Sequence, residues 1–274
     1  MPELPEVETV ARDLRAALVG HRITSVSVAH PGVLRHPSPE AFTAGLRGAQ
    51  VVAVERRGKF IFCPLDSGDD LVVHLGMTGH LDICAAAHPR RPHTHIVARL
   101  DDGRELRFAD ARRFGRVLLG HREQLRALGV LPLLGVEPLA PEFTAERFDA
   151  LLRRTTRMVK SALLDQRGVA GLGNIYVDEI CHRAGVRPTR RCHRLTRKQR
   201  LALHEAVVAV LHKAIDNRGS SIDDYRDLWN AQGNHQEELQ AYGRAGLPCF
   251  RCATLLRRTV IAGRTTVYCP QCQR

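Results

Sequence analysis

No stretch of this 274-residue sequence approaches the roughly 20 consecutive apolar residues that a membrane-spanning helix needs. The opening Met-Pro-Glu-Leu-Pro-Glu is acidic and lacks the apolar h-region of a secretory signal. A soluble, cytoplasmic chain is therefore expected. There is no internal repeat and no low-complexity tract, so the length reads as two domains of ordinary size, or one large domain with an appendage. No dimerisation signal is visible, and a monomer is expected. Acidic residues are in deficit: 29 Asp plus Glu stand against 41 Lys plus Arg, a net charge of +12. From Arg244 to Arg274 there is no acidic residue at all, against six Arg. Such an excess is either a solvated basic surface or the footprint of a polyanion, most often nucleic acid, and its concentration in the tail favours the second.

Apolar residues make up 44% of the chain, enough for a sizeable core. Helical spacing of Val7, Val10, Ala11, Leu14 and Leu18 predicts a helix over Leu4 to Val19, stopped by Gly20. Short β-rich runs follow at Ile23 to Val28 and Val51 to Val54. Phe60 and Phe62 share a face after Arg56-Arg57-Gly58-Lys59, and further runs cover Leu71 to Leu75, His95 to Leu100 and Glu105 to Phe108. Asp102-Gly103 marks a hairpin between the last two. The expected fold class is α+β: an N-terminal β-sandwich with a leading helix over 1–131, a Pro-rich linker over 132–143, a helical domain over 144–243 and a C-terminal unit over 244–274. In the helical part, Thr196 and Gln199 form a capping box opening a helix lined by Leu201, Val208, Leu211 and Ile215. Residues 219–236 are polar and irregular, a candidate mobile loop.

Cytoplasmic chains do not normally hold disulfides. Cys63, Cys84, Cys181 and Cys192 stand alone and read as reduced, buried small residues. Cys249-x2-Cys252 and Cys269-x2-Cys272, sixteen residues apart, are different. Two such knuckles place four thiolates around one Zn²⁺, and four Cys with no open position mean a structural metal. The residues between them read as a hairpin turning near Gly263. So small a unit needs the metal to fold, and Arg257, Arg258 and Arg264 then lie on a rigid ribbon able to grip phosphates.

Landmarks in a fixed order complete the pattern: Pro2-Glu3-Leu4-Pro5-Glu6-Val7-Glu8-Thr9, His74-Leu75-Gly76-Met77-Thr78-Gly79, Arg112-Arg113-Phe114-Gly115, Gly171-Leu172-Gly173-Asn174-Ile175-Tyr176 and Tyr242-Gly243-Arg244, then the knuckles. Together they resemble the bacterial formamidopyrimidine-DNA glycosylases, of the Fpg/Nei group of glycosylase/AP lyases. The resemblance implies a β-sandwich, a helix-two-turn-helix domain and a zinc finger, with damaged double-stranded DNA in the cleft. It also implies a nucleoid-associated bacterial enzyme without obligate protein partner that excises 8-oxoguanine and formamidopyrimidines through a Schiff base, followed by β,δ-elimination.

On that resemblance the catalytic set is Pro2, Glu3, Glu6, Lys59 and Arg264. Proline after Met permits removal of Met1, leaving a secondary α-amine whose pKa near 7.7–8.0 leaves part of it unprotonated at neutral pH. Attack on C1′ yields a cationic iminium, an electron sink for elimination. Glu3 would shuttle protons and Glu6 orient the amine, or both simply stabilise the first helical turn. Lys59 is a phosphate contact and proton donor, or a solvated turn lysine. Arg264 would grip the phosphates flanking the lesion. The DNA-binding set is His74, Met77, His93, Arg112, Arg113, Phe114, Asn174, Tyr242 and Arg258. Met77 and Phe114 are wedges for the space a flipped base leaves, or core residues, and their turn-like neighbours favour exposure. Arg112 would read the orphaned base, or bind phosphate as its neighbour Arg113 can. Asn174 is expected as a helix N-cap at a phosphate-binding helix start. His74 and His93 are ordinary structural histidines unless the resemblance holds. The chain departs from the family in lacking Pro before the Arg pair, and in its 220–236 loop, which carries Trp229 and His235. Two other readings remain: an endonuclease VIII-like glycosylase for oxidised pyrimidines, and a non-catalytic zinc protein that binds DNA.

Overall fold

In the computed structural model, which describes residues 1–222 and 224–274, the chain divides into two compact units. The first comprises Met1–Leu133 and Arg218–Asn234, the second Leu134–Asn217 and His235–Arg274. No helix among the described residues is long and apolar enough to cross a membrane.

The first unit opens with α1 (Leu4–Leu18). Its strands are β1 (Ile23–Val28), β2 (Leu34–His36), β3 (Glu55–Arg57), β4 (Phe60–Pro64), β5 (Asp70–His74), β6 (Gly79–Ala85), β7 (Thr94–Leu100), β8 (Arg104–Asp110) and β9 (Arg116–Gly120), with helices α2 (Pro39–Leu46) and α3 (Arg122–Ala127). They form a four-stranded sheet, β1-β7-β8-β6, and a five-stranded sheet, β2-β9-β5-β4-β3. One core fills the sandwich: Ile83, Ile96, Leu106 and Phe108 from the first sheet join Ile61, Val73, Val117 and Leu119 from the second. The helical stripe Val7, Val10, Ala11, Leu14 and Leu18 enters the same core, which is what fixes α1. β4 and β5 are buried on both faces, unlike an alternating surface strand. On their second face the Arg122 guanidinium of α3 lies 4.5 Å from the centroid of Phe62 and pairs with Asp70 at 2.8 Å.

The strand expected at Val51–Val54 does not form. Pairing begins at Glu55, opposite Phe62, and Val51 makes only an isolated bridge to Leu65. Extending the ladder backward would bring residue 53 opposite Pro64, which has no N–H to donate.

The second unit carries α4 (Ala145–Arg153), α5 (Val159–Leu163), α6 (Asn174–Arg183), α7 (Arg197–Asp216) and the hairpin β10 (Arg257–Ile261) with β11 (Arg264–Tyr268). The Thr196–Gln199 capping box opens α7 as expected. Its buried face is Leu203, Ala206, Val207, Val210, Leu211, Ala214 and Ile215, with Leu201 exposed and Val208 only partly buried. The sequence reading followed the large side chains. Ala206 and Ala214 also lie on the buried face of α7, which packs against α4 and α6. The hairpin turns through Ala262 (φ 49°) and Gly263 (φ 72°), the paired positive φ values of a type I′ turn.

Two of the expected boundaries shift. The proposed linker 132–143 is structured from Leu134 onward: Gly135 N donates to Gln166 O at 2.8 Å and Val136 N to Gly168 O at 3.1 Å. The prolines at 132, 138 and 141 leave those two N–H groups intact. A Cβ on Gly135 would sit 2.2 Å from Gly168 O, so the approach requires glycine. Residues 218–234, expected within the helical domain, pack with the first unit, because Tyr225 and Leu228 are buried in its core. Asp223, inside the expected loop, lies outside the described residues.

Candidate functional site

In the first unit the start of α1 is fastened by one carboxylate. Glu6, 1% exposed, accepts Glu3 N on Oε2 at 2.8 Å and Ser220 N on Oε1 at 2.7 Å. The Glu3–Glu6 capping box is therefore present, and Glu6 also anchors the 218–234 segment. A Cβ on Gly219 (φ +80°) would lie 2.8 Å from the Glu6 carboxylate, so this contact excludes any side chain there. Tyr225 donates its hydroxyl to Glu6 O at 3.4 Å, and burial first, then the Glu6 charge, pushes the phenol pKa up. Arg218 closes the base of the segment by pairing with Asp13 of α1 at 2.5 Å and Asp227 at 2.6 Å. The segment read as a mobile loop is thus stapled to α1 at several points. Pro2 and Glu3 are buried, behind a partly buried Met1.

Lys59 is buried too, not the solvated turn lysine that its Arg-Arg-Gly-Lys context allowed. Arg56 sets its turn, with Nε on Glu8 at 2.7 Å and Nη1 on Gly58 O at 3.0 Å, so α1 and the Lys59 turn share a fastening. At the end of β5, His74 uses Nδ1 to accept Gly76 N at 3.1 Å. Burial, then the Lys59 and Arg116 charges, lowers its pKa to about 4, so the ring is neutral at pH 7 and serves as an acceptor that shapes the turn.

That turn presents Met77, 38% exposed, and the β8–β9 turn presents Phe114, 51% exposed. The two turns interlock: a Cβ on Gly76 (φ +63°) would meet Gly115 N and Phe114 C at 2.5 Å. Asp110 organises both. It accepts Thr78 Oγ1 at 2.5 Å and Arg112 N at 3.2 Å on Oδ1, and Gly115 N at 2.7 Å on Oδ2. The Arg112 guanidinium lies 4.9 Å from the Phe114 centroid, whereas Arg113 (φ 56°) places Nη1 2.7 Å from His30 Nε2. Arg112 and Phe114 therefore form one exposed platform beside Met77, and Arg113 is directed to His30. His93 (φ 62°) is exposed, its carbonyl accepting Asp110 N.

In the second unit, Asn174 is the first helical residue of α6, and Gly173 is the N-cap. The expected Asn cap fails because the side chain turns to the hairpin, where Nδ2 donates to Thr265 O at 3.0 Å. Lys160 Nζ donates to the same carbonyl at 3.0 Å and to Asp178 Oδ1 at 2.7 Å, and Asp178 Oδ2 accepts Val267 N at 2.9 Å. Lys160 and Asp178 are both fully buried, and burial raises the Asp178 pKa to about 6 despite the ammonium. This fastening holds the strand that begins at exposed Arg264, with Arg258 exposed on β10. Glu179 accepts Gln240 N, Ala241 N and Tyr242 N at 2.8–2.9 Å, which sets the Tyr242 backbone.

The four knuckle sulfurs lie within 4.8 Å of one another. A tetrahedral Zn–S₄ site with bonds of about 2.3 Å needs sulfurs about 3.8 Å apart, so the cluster fits Zn²⁺ and offers only thiolate ligands. No pair of described cysteines is disulfide-bonded. The sequence reading brought Pro2, Glu3 and Glu6 together, and likewise Met77, Arg112 and Phe114. It missed Asp110, Lys160, Asp178 and Glu179. Only Asp110 carried a signal, its place in Asp110-Ala111-Arg112-Arg113-Phe114-Gly115.

Three family models match in succession. They are the formamidopyrimidine-DNA glycosylase N-terminal domain over residues 1–117, the formamidopyrimidine-DNA glycosylase H2TH domain over 134–226, and the zinc finger found in FPG and IleRS over 246–274. A formamidopyrimidine-DNA glycosylase of Geobacillus kaustophilus is 45% identical over 275 residues, covering 100% of both chains. One of Pelotomaculum thermopropionicum is 44% identical over 274 residues, covering 100% of this chain and 99% of its own. Among solved structures, an FPG mutant of Lactococcus lactis in complex with a Fapy-dG containing DNA superposes with a TM-score of 0.92 at 36% identity, covering 100% of both chains. The FPG protein of Thermus thermophilus gives a TM-score of 0.89 at 40% identity, covering 99% of this chain and 98% of its own. The matches account for the sandwich, the helical unit and the four-cysteine zinc finger in one chain, and with them this protein belongs to the formamidopyrimidine-DNA glycosylase family.

Proposed function

We propose that this protein is a bifunctional DNA glycosylase/AP lyase that excises oxidised purines from duplex DNA through Pro2. The observation that carries the reading is the fastening of Pro2-Glu3 by Glu6, whose carboxylate holds Glu3 N and the 218–234 segment together. Relatives solved with Fapy-dG containing and abasic-site DNA support the substrate class.

Removal of Met1 would expose the Pro2 secondary amine. Its lone pair attacks C1′ as the C1′–N9 bond breaks, and the base leaves with the bonding electrons and a proton. Glu3 is the proton shuttle to the opened sugar. The nitrogen, now bonded to C1′, loses its proton, and its lone pair forms the C1′=N iminium bond as C1′–O4′ breaks, O4′ leaving with the bonding electrons and taking a proton from Glu3. Loss of a C2′ proton then expels the 3′ phosphate, and a second elimination expels the 5′ phosphate. Lys59 contacts phosphate and donates a proton in β-elimination, and Arg264 grips the phosphates flanking the lesion and acts in δ-elimination. Met77 and Phe114 fill the vacated stack, and Arg112 pairs with the orphaned base. Asn174, Tyr242, Arg258, His74, His93 and Arg113 contact the DNA. Zinc holds the hairpin and takes no part in the chemistry.

Borohydride reduction in the presence of a duplex bearing 8-oxoguanine tests this. The expected product is a cross-link whose modified peptide begins at Pro2, and it vanishes when Met1 is retained by an N-terminal tag. Cross-linking at Lys59 would overturn the mechanism, and efficient trapping on thymine glycol but not on 8-oxoguanine would overturn the substrate class.

A further inference from the structure

One buried side chain with no part in the chemistry above touches a zinc ligand. His182, near the C-terminal end of α6 and 1% exposed, places Nε2 3.4 Å from Sγ of Cys249, itself 2% exposed. The contact is reinforced through the backbone. Arg251, between the two cysteines of the first knuckle, donates Nη1 to His182 O at 3.1 Å and Nη2 to Arg183 O at 3.3 Å. The first knuckle thus grips the end of α6 twice, once by sulfur to imidazole and once by guanidinium to carbonyl. His182 also lines a cleft with Glu179, Lys213, His235 and Arg251.

A zinc-bound thiolate carries lone pairs and no proton, so it can only accept, and the ring nitrogen must be the donor. Such a bond stabilises sulfur in its anionic form where water is excluded, and it draws electron density away from the sulfur. Partners of this kind orient metal ligands, and losing one typically costs 10–100-fold in metal affinity.

We propose that His182 is a positioning residue for the zinc centre, donating Nε2–H to the Cys249 thiolate and coupling zinc retention to the docking of the first knuckle on α6. The proposal rests on the four-cysteine zinc site and is independent of the lyase chemistry at Pro2.

The test uses the zinc-loaded full chain and three variants: H182Q, which keeps a donor at similar reach, H182M, of similar length without one, and H182F, which keeps a ring without one. Zinc affinity is read by competition with a chromogenic chelator, and the thiolate-to-metal charge-transfer band is read after substituting cobalt. H182M and H182F should bind zinc about 10–100-fold more weakly than wild type, with the cobalt band moved to lower energy. H182Q should recover most of the affinity and return the band toward its wild-type position. Wild-type affinity and band in H182M and H182F would overturn the proposal. So would equal zinc loss in H182Q and H182M, because the contribution would then come from packing and not from the N–H. If H182F does not fold, the H182Q–H182M comparison decides alone.

Discussion

Replacing Arg112 with alanine separates base readout from phosphate binding. The Arg112 backbone is fixed, its N–H 3.2 Å from both Asp110 Oδ1 and Thr78 Oγ1, and its guanidinium lies over Phe114. Arg113 is turned to His30 at 2.7 Å, so the two arginines have different tasks. A guanidinium has only donors. An orphaned cytosine offers adjacent acceptors, O2 and N3, whereas adenine sets a donor amine beside its acceptor N1. By analogy with groove readout, one bidentate contact is worth about 1–3 kcal/mol of discrimination, or roughly tenfold to a hundredfold in rate. The lost Arg–Phe114 contact costs only about 0.5–1 kcal/mol at an exposed site and affects both partners alike. The assay is single-turnover excision of 8-oxoguanine opposite cytosine and opposite adenine, for wild type, R112A and R113A. R112A should slow the cytosine reaction far more and bring the ratio toward one, while R113A should preserve the ratio. Equal slowing opposite both bases in R112A, or collapse of the ratio in R113A, would refute the reasoning.

Three further outcomes follow from the geometry. Lys160→Met leaves the Asp178 charge buried without its cation and should destabilise the helical unit by about 3–5 kcal/mol in denaturant unfolding, with K160M/D178N recovering much of it; a loss below about 1 kcal/mol would contradict the buried pair. His74 has a folded pKa of about 4, below its unfolded value of about 6.5. The neutral ring therefore stabilises the fold fully above pH 6.5, and that contribution is lost as pH falls toward 4, by less than about 3 kcal/mol because solvent reaches part of the ring. H74Q should flatten this acid limb in thermal melts, and an unchanged limb would count against it. Metal analysis should give about one zinc per chain, and chelation should strip hydrogen-exchange protection from 246–274 and weaken DNA binding while leaving the sandwich protected; a zinc-free protein with intact protection there would refute the structural role.

What the sequence determined by itself was whatever local geometry encodes. Helical spacing from Val7 to Leu18 marks α1, because residues three and four apart share a face. Thr196 and Gln199 announce α7 because both partners of a capping box lie within one turn. The Cys-x2-Cys pairs specify a metal because their chemistry needs no knowledge of the surrounding fold. Tertiary structure decided the rest. Glu6 meets Ser220 from 214 residues away, and Lys160 meets Thr265 from 105. Asn174 gives up its capping position because the hairpin brings Thr265 O within reach, a competition invisible from Gly-Leu-Gly-Asn alone. The face α7 buries depends on which neighbours approach, and it includes Ala206 and Ala214, weak in any hydrophobic pattern. A carboxylate's partner is set by the course of the whole backbone, and burial then makes leaving it unpaired costly. The sequence thus named the groups that carry the proposed chemistry, and the fold selected the buried partners that hold them.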